Sequence, residues 1–294
     1  MTPMRWRAGT GPALALVFNA AVWGLSWWPL RELAQAGVHP LWATALVYAL
    51  SCVVIAAWRP AALFEVLRSP ALWVIVLAAG GTNAAFNWAV TVGDVVRVVL
   101  LFYLMPLWTL LLARVLLGER VHAAGALRVA LGLLGAAIVL WPAQGGWPLP
   151  THPAEWLGLV GGLCFALNNV MLRRQAGSSA PARALAMFLG GVLVAGGLAA
   201  LLTLGGTLSA PPALGWQWTP LALVLALLFL VSNFALQHGA SRLPAQVTAI
   251  LMLTEVVFAS ASAIALGAGL LDWRVAVGGA LIALAALLAA RRAG

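Results

Sequence analysis

Two apolar segments of the chain carry polar residues that recur every four positions, at an offset of 150 (233 − 83 = 150). The two sets are Asn83, Asn87 and Thr91, and Asn233, Gln237 and Ser241. On a helix this spacing places each set on one face. Carboxamides are costly in hydrocarbon unless they face a partner or water. The two stripes therefore either line a shared polar path or form helix–helix hydrogen-bond seams, and the spacing is compatible with both.

Glu255 is the only acidic residue placed near the middle of an apolar segment. A carboxyl group in hydrocarbon must be protonated, paired or facing water. One interpretation is a contact for a substrate ammonium or a proton-coupling site. The other is a neutral acid that hydrogen-bonds a neighbouring helix. At the offset of the polar stripes Glu255 corresponds to Met105 (255 − 105 = 150), so the two segments differ at this place.

Aromatic and amide side chains deep in apolar segments complete the candidate set. Tryptophan and tyrosine rings can stack on an aromatic or cationic solute, although lipid-facing packing explains them equally well. Asn168 and Asn169 share a further apolar segment, and we expect one of them to face a cavity. The candidate substrate-binding residues are Trp23, Trp27, Asn83, Asn87, Trp88, Tyr103, Trp108, Asn168, Asn169, Asn233, Gln237 and Glu255.

Motifs of enzymes and of metal sites are missing from the sequence. There is no Gly-x-Ser-x-Gly elbow, phosphate-binding loop or His-x-x-x-His pair. Cys52 and Cys164 both fall inside apolar segments, where they are interpreted as small core residues. We therefore expect no catalytic activity, no cofactor and no metal.

The composition points to lipid as the solvent. The chain has 294 residues, of which 64% are hydrophobic and 8% charged, and its mean hydropathy is +1.02. A soluble core of this size could not hide so much apolar surface. The net charge of +9 comes from arginines scattered between apolar segments, and membrane topology explains them better than a nucleic acid does. The expected partners are the lipid bilayer, a small-molecule substrate and, as a further candidate, protons.

Ten membrane spans are predicted at about 20 apolar residues per crossing. They are residues 11–33, 40–58, 71–91, 95–117, 124–142, 154–174, 183–205, 219–240, 245–268 and 273–290. Arg5 and Arg7 before the first span resemble the start of a signal peptide, but no small-residue cleavage site follows. The first segment is therefore kept as a transmembrane helix, and the fold class is an all-α polytopic membrane protein.

The arginines predict the orientation in the membrane. Thirteen of them lie on one side of the predicted spans, and three, Arg31, Arg97 and Arg274, lie on the other, which we call the arginine-poor side. Because cytoplasmic loops are enriched in arginine, both termini are expected in the cytoplasm.

The chain also shows an internal repeat. Residues 128–132, Arg-Val-Ala-Leu-Gly, match residues 274–278, Arg-Val-Ala-Val-Gly, in the fifth and tenth spans. Two five-helix copies, residues 1–142 and 143–294, are therefore predicted, with chance similarity of alanine- and leucine-rich helices as the alternative. Five is an odd number, so the second copy would enter the membrane inverted, as in many secondary transporters.

The fourth span carries a resemblance to a known family. It has an apolar run with Pro106 in mid-helix and ends in Leu117-Gly118-Glu119-Arg120, before a glycine-rich fifth span. With Trp23-Gly24 in the first span, this pattern resembles the EamA-type transporters of the drug/metabolite transporter superfamily. Pro106 is expected to kink the helix. The second copy departs from the pattern, because Val256 stands at the proline position.

The resemblance implies a secondary transporter that exports amino acids or related metabolites by alternating access across a bacterial inner membrane. The deep tryptophans weakly favour aromatic or apolar solutes. Two alternatives remain: efflux of lipophilic cations with Glu255 as the counter-ion, and a non-transporting membrane scaffold whose polar stripes only join helices.

The topology can be tested with reporter fusions. Fusions after residues 65, 120, 178 and 242 are expected to report the cytoplasm, and fusions near residues 147 and 211 the external side. A cytoplasmic signal at residue 147 would contradict both the orientation and the inverted repeat.

Overall fold

The computed structural model describes residues 10–117, 123–141, 147, 149–175, 177–240, 242, 251–252 and 254–290. Within these ranges the regular structure is helical and contains no strand. An all-helical polytopic membrane protein is therefore confirmed at this level. Ser241, Glu119 and Arg120, which the sequence singled out, lie outside the described residues.

The helices of the first predicted half begin with a pair that shares the first span. They are α1 (Thr10–Leu25), α2 (Trp27–Gln35), α3 (Pro40–Trp58), α4 (Pro60–Arg68), α5 (Pro70–Val92), α6 (Val95–Phe102), α7 (Met105–Leu117) and α8 (Ala123–Leu140). Prolines and polar caps start several of them. Ser69 accepts a hydrogen bond from the backbone N–H of Leu72, and Pro70 occupies the first turn of α5.

The described part of the second predicted half is also built of helices. They are α9 (Pro153–Arg174), α10 (Ala180–Gly190), a π-helical turn (Gly191–Ala195), α11 (Gly196–Leu204), α12 (Thr219–Ala240), α13 (Thr254–Ala265) and α14 (Trp273–Ala290). Asp272 caps α14 by accepting a hydrogen bond from the backbone N–H of Val275 at 2.8 Å.

Seven helical segments of the described chain are long and apolar enough to cross a membrane. They are Thr10–Gln35, Pro40–Trp58, Pro70–Val92, Val95–Leu116, Pro153–Leu172, Ala180–Leu204 and Thr219–Gly239. Three shorter apolar helices, Ala130–Leu140, Thr254–Ala265 and Trp273–Ala285, lie where the fifth, ninth and tenth spans are predicted. A multi-pass membrane protein follows from these helices, and the count of ten spans stays a prediction.

Two of the spans are interrupted. The first breaks at Ser26, whose hydroxyl donates to the Trp23 carbonyl at 2.7 Å, and α2 continues after it. The fourth breaks at Tyr103 and Leu104, just before Pro106, which is the second residue of α7. A proline lacks the N–H that a helix needs and disfavours a continuous helix through the preceding turn. The interruption therefore precedes the proline.

A short helix, α4, stands where the sequence suggested only a break. Its nine residues are too few to cross a membrane. Ala62 and Val66 are buried, whereas Phe64 and Leu67 are exposed. Glu65 accepts two hydrogen bonds from Ser179, at 2.9 Å from its backbone N–H and 2.7 Å from its hydroxyl. This contact ties α4 to the start of α10.

Glycines let the helices cross at close range. A Cβ added at Gly190 would lie 2.1 Å from the carbonyl oxygen of Val76, where α10 crosses α5. Gly135 on α8 and Gly278 on α14 each face the other's carbonyl oxygen, and an added Cβ would lie 2.6 Å and 2.5 Å from it. Small residues at such crossings are the usual device of membrane helices, because they bring backbones together without a hydrophobic driving force.

The α5–α10 crossing can be tested with two alanine substitutions in the same span. Gly190→Ala should lower the free energy of unfolding by about 1–3 kcal/mol, because the backbone that it meets cannot move aside. Gly197→Ala is the matched control, since an added Cβ there meets no atom within 4 Å. Denaturation in mixed detergent micelles measures both. Equal stability of the two variants would contradict the crossing.

Candidate functional site

Tyr103 and Glu255 meet where the broken fourth span touches α13. The Tyr103 hydroxyl lies 3.1 Å from Oε2 of Glu255 and 3.0 Å from the backbone oxygen of Met252. Tyr103 is 3% exposed and Glu255 is 7% exposed. The contact brings together one candidate residue from each predicted half.

The hydrogen count at this contact distinguishes two forms of Glu255. A tyrosine hydroxyl has one hydrogen, and a backbone carbonyl can only accept. With an ionised Glu255, two acceptors would share that hydrogen. With a protonated Glu255, the carboxylic acid can donate to Tyr103 and Tyr103 can donate to Met252, so that each of the two contacts has its own hydrogen. The geometry therefore favours the protonated acid in this conformation.

The first span lies directly against the start of α13. A Cβ added at Gly24 would lie 2.8 Å from the backbone oxygen of Glu255 and 2.8 Å from the Cβ of Phe258. Only a glycine allows α1 to come this close to the backbone of the acidic residue. Gly24 thus fixes the position of α13, and Trp23-Gly24 was the signal that carried part of the family resemblance.

Trp108 and Asn168 hold two buried polar atoms without a partner in the described structure. They are the indole Nε1 of Trp108, a donor, and Oδ1 of Asn168, an acceptor. On α9, Gly158 packs against Val98 and Gly162 against Phe102, so equal spacing in the two parallel segments brings Asn168 to about the level of Trp108. The two unpaired atoms lie on packed helices, α7 and α9, toward the arginine-rich side of Tyr103.

The first polar stripe joins α5 to α3. Asn83 accepts a hydrogen bond from the Tyr48 hydroxyl at 2.7 Å, and Asn87 donates to the Thr44 hydroxyl at 3.0 Å. Thr91 donates to the carbonyl of Asn87 on its own helix. Asn83 and Asn87 are buried. These contacts are those expected of a helix–helix hydrogen-bond seam, the second of the two interpretations of the stripe.

In the second stripe the hydrogen bond runs along one helix. Next to it, at Ser232, lies a seam between helices that the sequence analysis did not predict. Gln237 donates to Asn233 along α12 at 2.9 Å, and both side chains are half-buried. The interhelical bond is made instead by Asn19, whose Nδ2 lies 2.6 Å from the Ser232 hydroxyl. Asn19 is the only amide in the first apolar segment up to Ser26, and that isolation was the available signal.

Several of the candidate aromatic rings already have partners. Trp23 stacks on Phe229 with centroids 4.5 Å apart, and Trp27 donates from its indole nitrogen to Ser262 at 3.0 Å. Trp88 meets His39 edge-on at 5.0 Å. The structure thus leaves Trp108 and Tyr103 as the candidate rings nearest to Glu255 along the fourth span. Asn169 is half-buried beside the fully buried Asn168.

His39 caps α3 between the first two spans. Its Nδ1 accepts a hydrogen bond from the backbone N–H of Leu41, which requires an unprotonated nitrogen. Burial lowers the pKa of His39 below the usual value for histidine. The side chain is therefore a neutral structural cap at neutral pH.

The start of α6 corrects one expectation from the sequence. In the sequence Arg97 follows Asp94 by three residues, a spacing that predicts an ion pair between them at the helix end. Asp94 instead accepts a hydrogen bond from the backbone N–H of Arg97 at 2.9 Å, as a helix cap. The Arg97 guanidinium pairs with Glu155 of α9 at 2.8 Å and donates to the carbonyl of Val139. These charge-assisted contacts of the Arg97 guanidinium tie α6 to α9 and to α8.

An open cavity of about 700 Å³ lies on the arginine-poor side. Its polar lining comes from Arg31, Gln35, Thr91 and Asp94, and its opposite wall is the turn at residues 267–270. We call this cavity the vestibule. Within the described residues no group of three histidine, cysteine, aspartate or glutamate side chains is placed to hold a metal ion.

Comparison with known proteins supports the resemblance noted in the sequence. Residues 11–141 match the EamA-like transporter family. A Pseudomonas aeruginosa protein described as an uncharacterized transporter is 30% identical over 175 residues, which cover 58% of this chain and 48% of that protein. The match thus spans about half of the length of that relative. The predicted resemblance is confirmed.

One solved crystal structure has the same fold. It superposes with a TM-score of 0.60 and covers 96% of this chain and 98% of the other. At 21% sequence identity, the similarity concerns the fold alone.

The Tyr103–Glu255 contact can be tested by a double-mutant cycle. Tyr103→Phe should lower the free energy of unfolding by about 1–3 kcal/mol, because it leaves two buried groups without a partner. Combined with Glu255→Gln, the two effects should deviate from additivity by about 0.5–3 kcal/mol. The control is Tyr48→Phe at the chain's other tyrosine, which should add to Glu255→Gln within about 0.5 kcal/mol. Additivity in both pairs would show that Tyr103 and Glu255 do not interact.

Proposed function

We propose that this chain is a secondary transporter that moves a small metabolite across the membrane by alternating access. Its residues 11–141 match the EamA-like transporter family. The solute is an amino acid or a related compound, and the direction is export. The single observation that carries the proposal is a buried acid, Glu255, held by a tyrosine of the other predicted half at the interruption of a membrane span.

A buried carboxyl group in this position suits exchange of a proton for a cationic group. In the proposed cycle Glu255 carries a proton while it lies 3.1 Å from the Tyr103 hydroxyl. When the proton leaves to water, the remaining carboxylate can bind a substrate ammonium in its place. The two ligands exclude each other at one group, so transport of the solute in one direction is coupled to proton movement in the other.

Unpaired polar groups on α7 and α9 favour a solute with polar and apolar parts. Trp108 offers a ring and a free indole N–H, and Asn168 offers a free amide oxygen. An amino acid has an ammonium for Glu255, a carboxylate that can accept the indole hydrogen, and a side chain that can lie on aromatic rings. This set of groups is the reason for preferring an amino acid over a neutral sugar or a nucleobase.

The packing of the helices supports two inverted halves. α5 packs on α9 as α1 packs on α12, and α7 packs on α9 as α1 packs on α13. The first, third and fourth spans are matched with the sixth, eighth and ninth. This matching converts the α5–α9 pair into the α12–α1 pair, and the α7–α9 pair into the α13–α1 pair. α8 and α14, matched with each other, meet through Gly135 and Gly278. Such symmetric packing is expected of two inverted repeats, the architecture on which many secondary transporters build alternating access.

The arginine distribution supports a bacterial inner membrane location with both termini in the cytoplasm. In that orientation the vestibule opens to the external side. Export then means loading from the arginine-rich side and release through the vestibule.

Two alternatives stand beside this function. Efflux of lipophilic cations would use Glu255 as counter-ion and the free ring of Trp108 as a stacking surface. A non-transporting scaffold is favoured by the seams at Asn83, Asn87 and Asn19, which join helices directly. Purified protein in liposomes separates these possibilities with a panel of amino acids, nucleobases, vitamins and organic cations. A panel that moves no faster than in empty liposomes would favour the scaffold.

The central test of the proposed function is Glu255→Gln. Glutamine keeps the size and the hydrogen bond to Tyr103 but cannot titrate. We expect the variant to fold, to lose the pH dependence of transport, and to bind a cationic solute more weakly by about 1.5–3 kcal/mol, which is roughly ten- to a hundredfold in affinity. Uptake at several pH values, with and without a pH gradient, measures both effects.

The matched control is Glu32→Gln, the same substitution at an exposed acid of α2. It should transport as the unmodified protein does at every pH. Unchanged rates and unchanged pH dependence in Glu255→Gln would assign Glu255 to structure and would return the search to the stripes at Asn83 and Asn233.

A further inference from the structure

On the arginine-poor side the two predicted halves are joined by two facing turns, which we call the latch. One consists of residues 93–96, which are the turn after α5 and the first two residues of α6. The other is residues 268–270, part of the link from α13 to α14. Asp94 accepts a hydrogen bond from the backbone N–H of Leu270 at 3.0 Å, and the N–H of Val95 donates to the carbonyl of Ala268 at 3.2 Å. Gly269 packs directly on Val96.

Asp94 has two tasks in the latch. One carboxylate oxygen caps α6 at the N–H of Arg97, and the other accepts from Leu270 in the second half. Both oxygens are therefore occupied by backbone donors. Arg31 likewise donates to the carbonyls of Val90 and Gly93 at the end of α5. With these groups engaged, the wall of the vestibule is built to hold two turns together, and this argues against a solute site at Asp94.

The latch lies between the candidate site and the arginine-poor side. α1 runs alongside α13, and the contacts of Gly24 and Trp27 give the order of levels. Gly24 faces the backbone of Glu255, and Trp27 bonds Ser262 two turns further along α13. Beyond Ser262, α13 ends and the turn at 268–270 meets Asp94. A solute that leaves Glu255 toward the vestibule must therefore pass Ser262 and then the latch.

The interrupted spans provide hinges for this latch. α2 carries Arg31 and starts at the break at Ser26, while α6 follows Asp94 and ends at the break at Tyr103 and Leu104. Both are short outer pieces of longer spans. Breaks in the helical hydrogen-bond ladder are where such pieces can change direction at small cost. The hinge of α6 is the residue that hydrogen-bonds Glu255.

We propose that the latch is the gate of the arginine-poor side, that Asp94 is its fastening residue, and that it opens by rotation of α6 and α2 about Tyr103 and Ser26. Opening breaks the Asp94–Leu270 and Val95–Ala268 hydrogen bonds and lifts Gly269 off Val96. Because Tyr103 is the hinge, the same motion changes the hydrogen bond to Glu255. The gate rests on the proposed transport function for its purpose, but the closed contact and its control of access can be measured without transport.

The closed gate can be locked by a disulfide. An added Cβ at Gly269 lies 3.5 Å from the Cβ of Val96, within the range of Cβ separations in disulfides. In a background with Cys52→Ala and Cys164→Ala, the pair Val96→Cys and Gly269→Cys should cross-link on oxidation, as counted by loss of maleimide-reactive thiols. Solute transport in liposomes should then fall at least about tenfold and recover with a reductant. Each single-cysteine variant should be unaffected by oxidation.

Access through the gate is measured separately with Ser262→Cys as a reporter in the same background, in lipid nanodiscs where both faces meet the reagent. Asp94→Asn removes the charge from the latch and should speed labelling by a polar maleimide roughly tenfold, the factor that corresponds to about 1.4 kcal/mol. Asp272→Asn is the matched control, because Asp272 also caps a helix on this side, α14, through the N–H of Val275. It should leave the labelling rate unchanged.

The outcomes separate the gate from the transport function. Transport that continues at full rate with the cross-link complete, or equal labelling rates in Asp94→Asn, Asp272→Asn and the unmodified latch, would overturn the gate. A failure of the disulfide to form would also overturn it, since the two turns would not be in contact. If no solute of the panel moves, yet Asp94→Asn alone opens access to residue 262, the gate stands and the proposed substrate or function is wrong.

Discussion

The cost of a carboxyl group in hydrocarbon is the constraint on which this structure depends. Glu255 is buried, and its hydrogen-bond partner is Tyr103, the residue at which the fourth span is interrupted. The interruption in turn follows from Pro106, which prevents a continuous helix through the preceding turn. Gly24 then lets the first span close against the backbone of Glu255. Three features that look separate in the sequence thus serve one buried acid.

The other buried polar groups are used mostly for cohesion. Tyr48 with Asn83, Thr44 with Asn87, and Asn19 with Ser232 are direct bonds between helices. Such bonds contribute modestly each, and in lipid they align helices that no hydrophobic effect holds together. Unpaired buried atoms remain at several places, among them Nε1 of Trp108 on α7 and Oδ1 of Asn168 on α9. The bonds between helices and the contact of Tyr103 with Glu255 lie on different helix pairs, and a scaffold would need only the bonds between helices.

The sequence predicted the larger features and missed those that depend on neighbours. Long apolar runs, bounded by prolines and arginines, placed most spans within a few residues of the observed helices, as at Pro40–Trp58. The spacing of Asn83 and Asn87 identified a polar face correctly, but only tertiary packing decides that α3 covers it. The partner of Arg97 was missed for the same reason, because Glu155 lies 58 residues away in sequence. Helix α4 was missed because a nine-residue amphipathic segment has no span-length signal.

The central claim is that a proton and the cationic group of a solute exclude each other at Glu255. The most direct measurement is the pH change of a weakly buffered detergent solution of the protein when a transported solute is added. The account predicts release of about one proton per bound solute at a pH where Glu255 is protonated, and none from Glu255→Gln. Solute binding without proton release, or equal release from the glutamine variant, would contradict it.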